Sequence, residues 1–143
     1  MGVTVKIEGL SELQTKLDAL PTKLAKRILR PALQDAGEIV QQAAGIRAPR
    51  KSGHLTTNVV VNVTVHSDLQ AEVKVGPDKS AFYGIYSELG TSPHPETSKN
   101  GKTWPHPGEP ARPWLRPAFA ESVDEYTNAL IQNIRDGLDE VTK

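Results

Sequence analysis

Residues that could bind a metal occur together in one stretch of this sequence. His94 and His106 share it with Glu96 and Glu109, and a chain without cysteine has only imidazole and carboxylate ligands to offer zinc. The spacing argues against a site, because the chain has neither two histidines four apart on a helix nor an H-E-x-x-H motif. Prolines flank both histidines, and a flexible loop would hold them poorly. We therefore expect no metal and no cofactor.

No motif in the sequence indicates covalent catalysis. Cysteine is absent, no serine lies in a G-x-S-x-G elbow, and Gly84 and Gly90 belong to no phosphate-binding loop. A serine, a histidine and an aspartate from distant positions can still meet in a folded protein. A small hydrolase is therefore kept only as the weakest functional hypothesis, and we expect the protein not to be an enzyme.

Glu88 is the carboxylate whose surroundings differ from those of the others. It lies between Tyr86 and Leu89 in a stretch that we expect to be partly buried. A buried carboxylate is stable only when it is paired. We predict an ion pair with Arg112 or Arg116, in preference to a role as a catalytic base.

Basic residues indicate a different function. Arg47, Arg50 and Lys51 cluster where a helix should end, and the start of that helix is also rich in lysine and arginine. Together they support the hypothesis of a nucleic-acid-binding module, although a formal net charge of zero weakens it. The charge is unevenly divided, since residues 1–54 hold nine Lys/Arg and five Asp/Glu, whereas residues 113–143 hold three and six. Opposite faces of this kind suit head-to-tail association of subunits, or are simply two solvated faces.

The hydrophobic pattern of the N-terminal half mixes strands and helices. Alternation predicts a strand over residues 3–7, and apolar spacings of three and four predict helices over 11–20 and 22–45. Pro31 should kink or break the second helix near Arg30. Residues 55–75 alternate as a β-hairpin.

The C-terminal pattern completes a single domain over residues 1–143. Apolar side chains from Leu115 to Val141 form one continuous stripe, which predicts a long helix with Pro113 in its first turn. The fold class is therefore α+β: a small antiparallel sheet packed against a long N-terminal helix and a long C-terminal helix. We see no signal peptide and no apolar run long enough to span a bilayer, so we expect an intracellular protein with no membrane partner.

Two short blocks, residues 81–91 and 111–119, hold five of the seven aromatic residues and should anchor the fold. The spacing of Phe82, Tyr86 and Leu89 in the first block predicts one to two helical turns ended by Gly90, with a strand as the rival interpretation.

Between the blocks lies an extended loop, residues 92–110, with five prolines and no hydrophobic period. We expect this loop to be mobile in an isolated subunit, because it has too few apolar side chains to offset the cost of ordering it. Trp104 is the large side chain that could anchor it in a partner's pocket.

Three blocks resemble a known family. Residues 48–55 read A-P-R-K-S-G-H-L, residues 83–91 read Y-G-I-Y-S-E-L-G-T, and residues 111–119 read A-R-P-W-L-R-P-A-F. They resemble small tail-component proteins of long-tailed bacteriophages, whose pattern is A-P-x-x-T/S-G-x-L, then Y-x-x-x-x-E-x-G-T, then A-x-P-F-L-R-P-A. Trp114 stands where the family usually has phenylalanine, and the insert 92–110 is longer than the pattern requires. The residues within or beside these blocks that we expect to act in structure or assembly are Tyr83, Tyr86, Glu88, Gly90, Trp104, Arg112, Pro113, Trp114, Leu115, Arg116 and Pro117.

The resemblance implies a non-enzymatic structural protein of the phage neck, which completes the tail and joins it to the head. It implies a homo-oligomer, taken as a hexameric ring around the DNA channel, in contact with other neck and tail proteins. Arg47, Arg50 and Lys51 would be the residues that face DNA. The protein would be made in the cytoplasm of the bacterial host and become part of the virion.

Overall fold

The computed structural model describes residues 11–50, 52–66 and 70–142. It shows two sheets of two antiparallel strands and two long helices, which confirms the predicted α+β class. The strand predicted over residues 3–7 lies outside the described residues. The elements in chain order are α1 (Ser11–Asp18), α2 (Thr22–Arg47), α3 (His54–Thr57), β1 (Val59–Val65), β2 (Ala71–Pro77), a 3₁₀ turn (Lys79–Ala81), α4 (Gly84–Leu89), β3 (His94–Thr97), β4 (Thr103–His106) and α5 (Leu115–Val141).

Helix α2 runs through Pro31 as one element. A proline inside a helix removes a backbone hydrogen bond and costs about 3 kcal/mol. The apolar face continues on both sides of it, with Leu29 and Ala32 buried next to the proline, and burial of that face stabilises the whole helix. The chain therefore does not break near Arg30, and the alternative of a kink there stays a prediction.

The first sheet, β1–β2, packs one face on α2. The register pairs Val59 with Pro77 and Val65 with Ala71, and both valines are buried while Asn62 is exposed on the opposite face, as the alternation predicts. Residues 54–57, which the sequence assigned partly to the start of this strand, form the helical turn α3. The turn fits the chain there because Gly53, with φ of +79°, reverses its direction just before.

Two glycines at which side chains of the next layer pack against a helix backbone set the spacing of the layers. A Cβ added to Gly37 of α2 would lie 2.6 Å from Cγ1 of Val61 in the sheet, and one added to Gly137 of α5 would lie 2.7 Å from Cγ2 of Ile28 in α2. Glycine is therefore required for α2 to approach both the sheet and α5 so closely. The main core lies between these layers and consists of Leu13, Leu17, Ala25, Ile28, Leu29, Ala32, Leu33, Ala36, Val40, Val65, Tyr126, Leu130, Ile134 and Leu138.

A second, smaller core surrounds Trp114, where the ends of α2, α3, α4 and α5 meet. Trp114 is only 2% exposed, and Leu55, Ala81 and Ala118 are buried against it. This is the place that the sequence assigned to the aromatic anchor, but Phe82, Tyr83 and Tyr86 are exposed on the surface instead. Pro113 also precedes α5 rather than lying in its first turn, since the helix begins at Leu115. Among the described residues, no helix is both long and apolar enough to cross a membrane.

Candidate assembly surface

The carboxylate of Glu88 caps the start of α5 from a distant part of the chain. Its Oε2 accepts hydrogen bonds from the backbone N–H groups of Trp114 at 2.6 Å and Leu115 at 2.8 Å, and its Oε1 accepts from N–H of Arg116 at 3.1 Å. The first amides of a helix have no partner within it, and the positive end of the helix dipole favours an anion there. Glu88 is 3% exposed, so the helix terminus replaces the water that it has lost.

The ion pair predicted between Glu88 and Arg112 or Arg116 is therefore wrong. Both arginines are exposed, and no ion pair in the described ranges joins either of them to Glu88. The sequence correctly indicated a buried and paired carboxylate but not the kind of partner, because backbone amides leave no mark in a sequence.

Further contacts hold α4 rigidly against the start of α5. Nε1 of Trp114 donates to the carbonyl oxygen of Gly84 at 2.9 Å, and N–H of Arg112 donates to the carbonyl oxygen of Ser87 at 2.7 Å. A Cβ added to Gly84 would lie 2.6 Å from Cδ1 of Leu55. Gly90 ends α4 with φ of +73°, and a side chain there would meet the backbone of residues 109–111. Glu88 and Gly90, the glutamate and the glycine of the Y-x-x-x-x-E-x-G-T pattern, thus have structural roles, and so does Gly84, which the pattern leaves open.

The outer surface of α4 is apolar and exposed. We call it the α4 patch, and it consists of Phe82, Tyr83, Ile85, Tyr86 and Leu89, whose exposed fractions run from 38% to 55%. The rings of Phe82 and Tyr86 meet edge to face with centroids 6.0 Å apart, so the side chains support one another. Large apolar side chains gathered in this way on a surface are typical of a binding interface.

The stretch 92–110 is not the structureless loop that the sequence predicted. Strands β3 and β4 pair with His94 opposite His106 and Glu96 opposite Trp104, and the bridge between Thr91 and Glu109 closes the base of the hairpin. The missed signal is Asn100-Gly101 at the tip, a typical hairpin turn in which Gly101 has φ of +80°. Prolines obscured the strand pattern, because they carry no amide proton for the ladder. Trp104 is 41% exposed on this hairpin.

The hairpin brings three of the four metal-ligand candidates of this stretch into contact distance. His94, Glu96 and His106 have ligand atoms that all lie within 4.8 Å of one another. Nε2 of His94 is 3.8 Å from Oε1 of Glu96, and the two imidazole rings stack with centroids 4.9 Å apart. Glu109, the fourth candidate, lies instead at the base of the hairpin, where its backbone pairs with Thr91.

The basic residues proposed to face DNA differ in their surroundings. Nε and Nη2 of Arg47 donate to Oε2 of Glu121 on α5 at 2.8 Å and 2.6 Å, so this guanidinium is engaged within the subunit. Arg50 is exposed, and Lys51 lies outside the described residues. The pair between Arg47 and Glu121 also joins the basic and the acidic half of the chain internally.

Among the residues that the structure describes, two titratable groups have shifted pKa values. Burial raises the pKa of the Tyr126 phenol in the main core. Hydrogen bonds from the Ser80 hydroxyl and from the backbone amides of Ser80 and Ala81 lower the pKa of Asp78, which caps the 3₁₀ turn before α4. Asp78 thus stabilises the start of the 3₁₀ turn by accepting from its free amides.

A cleft of about 190 Å³ lies between the open face of the first sheet and the junction of α4 with α5. Glu88 is the carboxylate among its lining residues, and its two oxygens are taken up by three backbone amides. The carboxylate of Glu88 therefore serves the fold as the cap of α5.

These features define a small α+β protein in which a buried carboxylate joins α4 to α5. The outer surface of α4, the α4 patch, is apolar and exposed. A family model gives the class its name: the HK97-gp10-like family of bacteriophage tail components matches residues 11–90, more than half of the chain, and the chain belongs to this family. The matched range covers α1 to α4, and the block 111–119 follows it. No curated protein and no solved structure matches the chain at a significant level. The protein is thus a structural component of the phage tail, located in the virion and in contact with other tail proteins.

Proposed function

We propose that this tail component is a neck subunit, which completes the tail and joins it to the head as a hexameric ring around the DNA channel. The observation that carries the proposal is the α4 patch. Its five side chains are exposed within eight residues of one another, the ring of Phe82 meets those of Tyr83 and Tyr86, and the contacts of Glu88 and Trp114 fix helix α4. Full burial of one such side chain contributes roughly 1.5 to 3 kcal/mol, so covering the patch would stabilise an assembly substantially.

A closed ring requires two different surfaces on each subunit, because its contacts are head to tail. We assign the second surface to the β3–β4 hairpin, whose Trp104 is a large, exposed ring. The hairpin follows α4 after Gly90, and the bridge between Thr91 and Glu109 ties its two ends together. One subunit therefore offers an apolar patch and a projecting arm from neighbouring parts of the chain, and the arm of one copy would cover the patch of the next.

Charge supports the same arrangement. Lys23, Arg27 and Arg30 are exposed at the start of α2, and Asp124 and Glu125 are exposed on α5. Complementary charges of this kind steer association more than they strengthen it. The DNA contact of the ring would be non-specific and would involve Arg50 and Lys51 more than Arg47, whose charge is shared with Glu121.

The proposal is tested by the oligomeric state of the purified protein. Native mass spectrometry and light scattering should find a ring of the wild type, and Tyr86→Lys in the α4 patch should reduce it to monomers with little change in melting temperature. Ile46→Ser is the matched control, since Ile46 is 75% exposed on α2 and lies outside the patch. A wild type that stays monomeric both alone and with isolated tails, or a Tyr86→Lys protein that assembles normally, would refute the assignment.

A nucleic-acid-binding module is the second candidate, favoured by the exposed Arg50. It predicts DNA affinity in the monomer that falls steeply with salt. The neck proposal predicts DNA contact only in the assembled ring, so affinity measured on the Tyr86→Lys monomer separates the two.

A further inference from the structure

The β3–β4 hairpin forms a ribbon with chemically different faces. Residues directly opposite each other in an antiparallel pair have side chains on the same face, and alternate residues share that face. The register pairs His94 with His106 and Glu96 with Trp104, so these four side chains lie on one face. The other face carries Pro95, Thr97, Thr103 and Pro105.

The face with the histidines has the composition of a metal site. We propose that His94, Glu96 and His106 bind a divalent transition-metal ion of the zinc type, with the remaining positions open to water or to a ligand from another molecule. Two imidazoles and one carboxylate are a ligand set that zinc accepts with an open fourth position. This inference rests on the residues of the hairpin alone and does not depend on the proposed neck function.

The distances are those of a site that needs only small side-chain movements. The three ligand atoms lie within 4.8 Å of one another, whereas ligands about 2.0 to 2.2 Å from a tetrahedral ion are roughly 3.4 Å apart. Oε1 of Glu96 is already 3.8 Å from Nε2 of His94. All three side chains are exposed or half-buried, so rotation about their χ angles can close the remaining gap without moving the backbone.

The surrounding hydrogen bonds favour His94 as the first ligand. Its Nδ1 lies 2.8 Å from the carbonyl oxygen of Ser92, which can only accept, so Nδ1 donates that bond and Nε2, on the side of Glu96, is the nitrogen left to bind an ion. A backbone carbonyl on the second ring nitrogen is the usual outer partner of a metal-bound histidine.

His106 must exchange one hydrogen bond to join the site. Its Nδ1 accepts from N–H of Gly108 at 3.0 Å. Binding through Nδ1 gives up that bond, and binding through Nε2 moves the ring proton to Nδ1 with the same loss. We therefore expect His106 to contribute less to affinity than His94, although the site is incomplete without it.

Metal binding would fix the hairpin and its tryptophan. A two-stranded ribbon without a third strand is only marginally stable in water. An ion that joins β3 to β4 beside Trp104 would hold that side chain in place, which would make the hairpin a better defined contact arm.

The test is a titration of tag-free, metal-free protein with Zn²⁺ by calorimetry and with Co²⁺ by visible absorption. We expect one saturable ion per chain, and loss of at least about tenfold in affinity for His94→Ala, His106→Ala and Glu96→Gln. His66→Ala is the matched control, because His66 is an exposed histidine beside β1 and outside the hairpin, and it should bind as the wild type does. Melting curves check that all four variants fold.

A second readout follows the hairpin itself. Trypsin cleavage at Lys99 and Lys102 should slow when Zn²⁺ is added to the wild type and should not change in His94→Ala. Absence of saturable binding in the wild type would overturn the proposal. Equal binding by all variants would overturn it too, since the ion would then lie elsewhere.

Discussion

Replacing Glu88 by alanine should remove the acceptor of three backbone amides at the start of the 27-residue helix α5. A helix cap on a surface contributes up to about 2 kcal/mol. Here the carboxylate is only 3% exposed, and buried amides that lose an acceptor cannot all regain water, so we expect a loss of about 3 kcal/mol in the free energy of unfolding. At about 3 °C per kcal/mol for a chain of this length, the melting temperature should fall by roughly 9 °C.

Glu88→Gln tests the role of the second oxygen. An amide can keep its oxygen toward Trp114 and Leu115, where Oε2 accepts two bonds, but its NH₂ group would then face N–H of Arg116. One hydrogen bond is lost and two donors oppose each other, so the cost should be about 1 kcal/mol, or roughly 3 °C.

The two arginines provide the controls. Arg112→Ala and Arg116→Ala remove side chains that do not touch the carboxylate, and each should change the free energy of unfolding by less than about 0.5 kcal/mol. Thermal unfolding followed by circular dichroism, with denaturant titration as a check, measures all four variants. If an arginine variant lost as much stability as Glu88→Ala, the ion-pair hypothesis would be supported after all. If Glu88→Ala had the melting temperature of the wild type, the cap would contribute nothing to stability.

Four further predictions concern packing, titration, the hairpin and charge. Gly84→Ala should lower the free energy of unfolding by about 1 to 3 kcal/mol, because the new Cβ would lie 2.6 Å from Cδ1 of Leu55 and 3.1 Å from Cζ2 of Trp114. Gly45→Ala is the control, since its Cβ would lie 3.5 Å from the nearest atom, and it should be neutral or stabilising. Chemical denaturation measures both variants. The raised pKa of Tyr126 means that the unfolded chain loses this proton first as pH rises, so stability should decline from the ordinary tyrosine pKa toward the higher folded value, and Tyr126→Phe should remove that part of the decline in a pH series of melting curves. Trypsin should cut the free subunit rapidly at Lys99 and Lys102 and the assembled protein slowly, and Trp104→Ala should impair assembly more than folding; protection of a verified monomer would contradict this. Reversing Asp124, Glu125 and Asp136 to lysine should weaken oligomers measured by light scattering, and unchanged assembly would show that the charge asymmetry is incidental.

Local regularities in the sequence were sufficient to predict most of the elements. The stripe from Leu115 to Leu138 produced α5, and the alternation from Val59 to Val65 produced β1, because burial of one face repeats with the period of the backbone. Gly90 likewise predicted the end of α4 from the sequence, because glycine readily adopts the positive φ found there. The family blocks and the α+β class follow from patterns of this kind.

Partners far apart in the chain were decided only by the tertiary structure. The sequence marked Glu88 as a buried carboxylate in need of a partner, yet the partner is a set of amides 26 to 28 residues away, and every residue type carries an amide. Phe82 and Tyr86 have the helical spacing of a core face, but packing placed Trp114 in the core and left those rings outside. His94 and His106 became neighbours only through the register of β3 and β4. Composition and period describe what a segment can bury, whereas which surface covers it depends on how all the elements pack together.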